Sequence, residues 1–244
     1  MDKKFAIIGD IHANLDALKT VVDDARANGV TDFVCVGDVV GYNACPAECI
    51  RIVRDELCSP VVCGNHDHYV STDSPLSDFT ELAAEVVKWT RRQLSPEDVA
   101  WLRGLPYSKL HMGFTIVHST LDMPEHWGYI FDNLTAEASF AYQKTGVCFY
   151  GHSHVPMVHQ KSAAGIVRLE PREIPVPLGS RFLINVGSVG QPRDGDPRAS
   201  YAIYDTKTRV VKFRRLEYDV EAAMGRVRAA GLPDRLAQRL AVGR

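Results

Sequence analysis

Phe5-Ala6-Ile7-Ile8-Gly9-Asp10-Ile11-His12 decides how this chain is read. A short apolar run ends in a glycine, and a carboxylate and an imidazole follow at once. Apolar runs of this length bounded by turn residues are buried strands, and the polar pair then stands at the strand's carboxyl end. Downstream, Asn14–Ala27 repeats apolar residues at helical spacing (Leu15, Leu18, Val21, Val22, Ala25) and stops at Gly29. Asn14 itself suits a helix N-cap. Phe33–Val36 reads as the next strand, Pro46–Leu57 as the next helix and Val61–Cys63 as a third short strand. Strand, helix and strand recurring every ~25–30 residues mark βαβ units and a largely parallel α/β sheet.

Further along, Ser71–Asp78 is polar and reads as a loop, and Phe79–Leu94 as a helix. Ser95-Pro96-Glu97-Asp98 has an N-cap serine with proline in the first turn, which starts a short helix through Leu102. Phe114–Val117, Val147–Tyr150, Val158–Leu169 and Arg181–Val186 are strand-like, with a helix at Leu134–Tyr142 and a proline-rich segment at Pro171–Pro177. Ser200–Asp205 and Arg209–Leu216 flank Thr206-Lys207-Thr208 as a hairpin, and the tail from Val220 is helical with a break at Gly231–Pro233. No repeat or Gly/Ser linker divides the chain. Residues 1–244 are therefore expected to be one domain with a helical excursion near 71–112.

Composition sets limits. The 244 residues are 45% hydrophobic and 24% charged, ordinary for a globular protein, and the formal net charge of −2 supplies no field for holding a polyanion. The apolar run near the N-terminus is too short for a signal peptide, and no stretch of about 18 apolar residues suggests a membrane span. Cys35, Cys45, Cys49, Cys58, Cys63 and Cys148 lack metal-ribbon spacing and are expected as free thiols, and the protein is expected to be cytoplasmic.

Chemistry gathers in clusters at or just after strand ends: Gly9-Asp10-Ile11-His12, Gly37-Asp38, Gly64-Asn65-His66-Asp67, His118-Ser119 and Gly151-His152-Ser153-His154. Ligands of open α/β sheets bind outside the carboxyl ends of the strands, so these clusters should converge on one edge. Carboxylate, neutral imidazole and amide oxygen suit Mn²⁺, Fe²⁺ or Zn²⁺, and the lack of thiolate argues against a structural zinc site. A lone Asp after a strand is commonly a turn former or cap. It is the recurrence of Asp10 and Asp38 beside histidine clusters that selects a metal site.

In this order the motifs Asp10-Ile11-His12, Gly37-Asp38-Val39-Val40-Gly41, Gly64-Asn65-His66-Asp67, His118 and Gly151-His152-Ser153-His154 resemble those of the calcineurin-like metallophosphoesterases. Asn185-Val186-Gly187-Ser188-Val189-Gly190-Gln191-Pro192-Arg193 is similar to a stretch of that family's small bacterial and archaeal phosphodiesterase branch. The resemblance implies a four-layer α-β-β-α sandwich with two facing mixed sheets. It implies two divalent metal ions, Asp10, His12 and His154 on the first, Asn65, His118 and His152 on the second, and Asp38 bridging them. Hydrolysis of a small phosphoester by a metal-bridging hydroxide would follow, with His66 as general acid and Asp67 orienting its ring.

Arg193 is a candidate phosphate donor, since guanidinium matches phosphate geometry, and Tyr42 a candidate lining of the cleft. His68, His111, His126 and His159 read as surface or loop residues, and His126-Trp127 as a loop anchored by a buried Trp. Gly37-Asp38-Val39-Val40-Gly41-Tyr42-Asn43 lacks the Asp-Arg pair of protein Ser/Thr phosphatases and symmetrical dinucleoside tetraphosphatases, so a protein phosphatase is not expected. The competing classes are a non-catalytic scaffold of the same fold and a nuclease on short oligonucleotides. Long nucleic acid and membrane are not expected partners, and the sequence leaves the oligomeric state open.

Overall fold

The computed structural model describes residues 2–77 and 79–244, so Asp78, the end of the expected polar loop, lies outside the described residues. In chain order the elements are β1 (Lys4–Ile8), α1 (Leu15–Ala27), β2 (Asp32–Cys35), α2 (Pro46–Arg51) and α3 (Asn65–Ser71). Next come α4 (Glu81–Gln93), α5 (Pro96–Arg103), β3 (Ser108–His111), β4 (Phe114–Val117), α6 (Asn133–Tyr142) and β5 (Val147–Tyr150). The chain continues through β6 (Met157–Ser162), β7 (Gly165–Leu169), β8 (Glu173–Pro175), β9 (Arg181–Asn185), β10 (Ala199–Asp205) and β11 (Val210–Leu216). Two helices follow, α7 (Val220–Ala229) and α8 (Asp234–Val242).

Alternation along the strands sets the layering, because successive side chains of a strand face opposite ways. Phe5 and Ile7 of β1 pack with Val34, Phe114, Ile116, Phe149, Phe182, Ile184 and Ala202, which is the layer between two sheets. Ala6 and Ile8 face the other way and pack with Leu18, Val21 and Val22 of α1. On the far side, Val117, Cys148, Tyr150 and Leu183 pack against Ala136 and Phe140 of α6. The order is thus helices, sheet, sheet, helix, the expected α-β-β-α sandwich. Each fully buried large apolar side chain contributes roughly 1.5–3 kcal/mol.

Both sheets are mixed. The first runs β2-β1-β10-β11-β8, with β1 parallel to β2 and antiparallel to β10; the second runs β3-β4-β5-β9-β6-β7, with β4, β5 and β9 parallel. The carboxyl ends of β1, β2, β4 and β5 therefore point to one edge of the sandwich.

Several expectations change in detail. Val61–Cys63 makes only a bridge from Val61 to Cys35, since Cys63 N–H leaves the sheet for the Pro106 carbonyl. Val158–Leu169 is not one strand but the hairpin β6–β7, turning at Ala163-Ala164 into Gly165, which pairs with Ser162 at a φ of 117°. The helix from Pro46 loosens into a π-helical stretch at Ile52–Glu56, and short β3 and β8 were not anticipated. Asn14 caps α1 by accepting Ala17 N–H, and all six cysteines are free thiols, only Cys58 being exposed. His159 is corrected: it lies on β6, fully buried, with neither ring nitrogen hydrogen-bonded. No helix among the described residues is long and apolar enough to cross a membrane.

Candidate metal centre

Every polar cluster reaches the same edge. Asp10 and His12 leave the end of β1, Asp38 follows β2, Asn65 and His66 open α3, His118 follows β4, and His152 and His154 follow β5. Asp10, His12, Asp38 and His154 bring ligand atoms within 4.8 Å of one another, and so do Asp38, His118 and His152. Asp38 belongs to both groups. Asn65 Oδ1 joins the second, 3.2 Å from His118 Nε2 and 3.0 Å from His152 Nδ1.

The backbone bends sharply to achieve this. Asp10, His12, Asp38, His152 and His154 all take left-handed φ, between 46° and 68°. Non-glycine residues avoid that region at a cost of order 1 kcal/mol each, and they keep it where the surroundings fix it. Two glycines make room for the carboxylates. A Cβ on Gly64 would stand 2.1 Å from Asp38 Oδ1, and one on Gly151 2.4 Å from Asp10 Oδ2.

Each histidine of the two groups is anchored by a backbone carbonyl. His12 Nδ1 donates to Val40 O (3.0 Å), His118 Nδ1 to Val36 O (2.9 Å), His154 Nδ1 to Gln191 O (2.6 Å) and His152 Nε2 to Trp127 O (2.8 Å). A carbonyl only accepts, so these bonds fix the tautomers and turn the other nitrogen to the centre. Burial holds His12 and His154 well below the ordinary imidazole pKa, so both are neutral and their inward nitrogens are bare. Those two nitrogens face each other at 2.9 Å. Two lone pairs so close in a buried site are stable only with a cation to share, and the donor set of imidazole, carboxylate and amide oxygen fits a divalent one.

The charges are strongly perturbed. Burial opposes the charge on Asp38, but the charged His118 ring outweighs it and holds its carboxyl well below the usual range. Asp38 Oδ2 lies 3.4 Å from His12 Nε2 and 3.3 Å from His118 Nε2. Burial likewise disfavours the charge on His118, yet the neighbouring Asp38 raises its pKa. Burial pushes Asp10 up, and burial with the nearby His118 brings His152 down to about 3.

His66 stands beside both groups. Its backbone N–H donates to Asp38 Oδ1 (2.8 Å), and its ring lies 4.9 Å from the His12 ring and 4.4 Å from that of Tyr42. Its Nδ1 is buried without a hydrogen bond, and burial lowers its pKa to about 4. Asp67 faces elsewhere than expected. It does not reach the His66 ring: Oδ1 accepts Val39 N–H (2.9 Å) and Val40 N–H (3.2 Å), and Oδ2 accepts Gly64 N–H (3.1 Å). It ties the Asp38 loop to the start of α3.

Tyr42 and Arg193 line a cleft of about 560 Å³ above the centre, together with Asn65, His66, Trp127 and His152. The Arg193 guanidinium lies over the Tyr42 ring, 5.4 Å from its centroid. His126 is exposed, and Trp127 is half-buried with its ring near those of His68, Tyr107 and His118. Residues 185–191 form a clamp that sequence reading assigned no task. Ser188 Oγ and Gly190 N–H both donate to the Asp10 carbonyl, Asn185 holds the Gly151 carbonyl, and Gln191 anchors His154. The carbonyl anchors leave no trace in residue identity. Arg239 of α8, a second cation over Tyr42 at 5.8 Å, also escaped notice, although its spacing of four from Arg235 puts the two on one helix face.

A two-sheet sandwich with paired aspartate–histidine groups at one edge defines a class of metal-dependent phosphoesterases. Residues 4–209 match the calcineurin-like phosphoesterase superfamily domain, and the chain belongs to that superfamily. It is 37% identical over 243 residues to an uncharacterized protein of Methanocaldococcus jannaschii, 98% of each chain being covered. The crystal structure of a metallophosphoesterase from Sphaerobacter thermophilus superposes with a TM-score of 0.88 at 37% identity, over 100% of both chains. A shorter match, 33% identical over 101 residues, links 36% of this chain to 37% of the symmetrical bis(5'-nucleosyl)-tetraphosphatase of Erwinia tasmaniensis.

Proposed function

We propose that residues 1–244 act as one metallophosphoesterase domain that hydrolyses a small phosphorylated substrate with two divalent ions. The observation that carries this reading is the pair of ligand groups sharing Asp38, with bare imidazole nitrogens turned inward. Asp10, His12 and His154 would hold one ion, Asn65, His118 and His152 the other, and Asp38 both; manganese, iron and zinc all suit such donors. Bound there, the ions supply Lewis acidity toward the phosphoryl oxygens and lower the pKa of water.

The chain's own residues do the rest. The backbone carbonyls that fix each imidazole keep the ligands from reorienting as charge develops, which is the benefit of a pre-organised site. His66 is free of the ligand set and keeps a ring nitrogen for a leaving-group oxygen, the position of a general acid. With its pKa near 4 the ring is neutral at pH 7, so its proton has to come with substrate binding, where an adjacent phosphate favours the charged imidazolium. Arg193 presents a guanidinium to phosphate oxygens at the rim.

The test is turnover of bis-p-nitrophenyl phosphate, phosphomonoesters and dinucleoside polyphosphates by protein loaded separately with Mn²⁺, Fe²⁺ or Zn²⁺. His66→Ala should retain its metal and lose roughly 10²–10⁴-fold in kcat on substrates with poor leaving groups. Full activity of that variant would remove His66 from the mechanism. Inactivity of the metal-loaded wild type on every phosphoester would favour the scaffold.

A further inference from the structure

Among the described residues, six of the nineteen arginines, Arg54, Arg198, Arg214, Arg215, Arg226 and Arg228, have an aspartate within ion-pair distance. Arg193 and Arg239 are different. Both guanidinium groups lie over the ring of Tyr42, 5.4 and 5.8 Å from its centroid, and among the described residues neither has a carboxylate partner. Arg193 gives one N–H to Gln191 Oε1 and keeps a buried Nε with no acceptor; Arg239 gives its Nε to the Arg244 carbonyl. Two half-buried like charges beside one aromatic ring repel each other, and burial with Arg193 as neighbour lowers the Arg239 pKa. A pair so arranged is stabilised by an anion between or above it.

The position relative to the centre is defined by Tyr42, whose ring lies 4.7 Å from the His12 ring and 4.4 Å from that of His66. Both arginines line the cleft over the centre. Arg239 and Thr80 also line an adjoining groove of about 830 Å³ that brings in Arg235 and Arg244 against a single acidic side chain among the described residues, Glu81. Positive charge therefore extends from the Tyr42 side of the cleft toward α8.

We infer that Arg193 and Arg239 form a subsite for a second phosphate of the substrate, so that the substrate class is compounds carrying at least two phosphates, such as nucleoside polyphosphates or bisphosphates. The inference rests on the phosphoesterase reading for the first phosphate, which the Asp38-centred groups would take. The second phosphate would accept N–H donors from both guanidinium groups and relieve their repulsion.

The experiment uses the full metal-loaded chain, with metal in excess over nucleotide. AMP and ADP are compared as competitive inhibitors of bis-p-nitrophenyl phosphate hydrolysis, and as titrants in calorimetry of the same protein. The wild type should bind ADP about tenfold or more tightly than AMP, the size expected of charge-assisted hydrogen bonds. Arg239→Gln should bring that ratio close to one, and Arg239→Lys should keep part of it. Circular dichroism and the AMP constant of each variant establish that the fold and the first subsite survive. Equal binding of AMP and ADP by the wild type overturns the subsite, and so does a preference that persists in Arg239→Gln. Failure to hydrolyse any phosphoester overturns the phosphoesterase reading instead, and the calorimetric ratio then decides the subsite alone.

Discussion

At the floor of the cleft, Asp10, His12, Asp38, His118 and His154 are at most 2% exposed, and most sit on left-handed backbone held by hydrogen bonds from other loops. At the rim, Tyr42, Trp127, Arg193 and Arg239 are half-buried and come from loops and from α8. Residues of the floor answer to one another: each ring or carboxylate has a partner whose position fixes it. Those of the rim answer to solvent or to a ligand, and its two cations lack carboxylate partners among the described residues. The difference separates what a site does from what it accepts. A rigid, desolvated floor can carry charge chemistry, while a rim of half-exposed cations selects what enters.

Substitutions at the floor should have larger effects than those at the rim. Asp38→Asn removes the carboxylate common to both ligand groups. It should lose most bound metal, read by elemental analysis, and about 10³-fold or more in kcat, the equivalent of several kcal/mol of charge stabilisation. A variant that kept both ions and near-normal activity would show that the two groups do not share this residue. At the rim, Arg193→Ala should raise KM for substrates with two phosphates about tenfold with metal content unchanged. If metal content falls as well, the division between floor and rim is wrong.

The smallest effect concerns the metal-free protein and its pH dependence. Burial lowers His12, His66, His152 and His154 below their unfolded pKa, so unfolding lets four imidazoles take protons as pH falls through about 6.5. Asp10 and Asp67, raised by burial, act in the opposite sense because the folded state holds their protons longer. His68, His111 and His159 are lowered as well, and the raised His118 is protonated in both states below pH 6.5. The unfolded chain therefore binds more protons there, and stability present above about pH 6.5 should be lost toward about pH 4. Thermal melts should move down by roughly 2–4 °C for each kcal/mol lost in a chain of this size. A metal-free melting temperature that is flat or rises on acidification would contradict neutral, buried histidines.

The floor was legible in the sequence because its chemistry resides in residue identity. Asp10, His12, Asp38, His118, His152 and His154 follow strand ends, and Asn65 and His66 open α3 just after the Val61 bridge. Strand ends on one edge converge by topology. What escaped depends on partners that no residue type announces. The carbonyls of Val36, Val40, Trp127 and Gln191 orient the imidazoles, and any amino acid could have supplied them. Asp67 illustrates the limit in reverse: its place beside His66 in sequence suggested a partnership, but in the first turn of α3 adjacent side chains point apart. Arg239 lies far along the chain from every motif, and only the packing of the C-terminal helices brings it over Tyr42. In the fold, β1, α1 and the β10–β11 hairpin declared themselves by periodicity, whereas β3 and β8 are short edge strands with little alternation to read.

The clamp formed by residues 185–191 has a consequence for biosynthesis. Every proposed ligand is already translated at His154, yet the Asp10 carbonyl finds its partners only at Ser188 and Gly190, and β1 gains β10 only at residues 199–205. A nascent chain stalled between those points would display all the coordinating side chains without the frame that aims them. The frame around the Asp10 loop is thereby completed only by residues 188–205, more than thirty positions after the last proposed ligand.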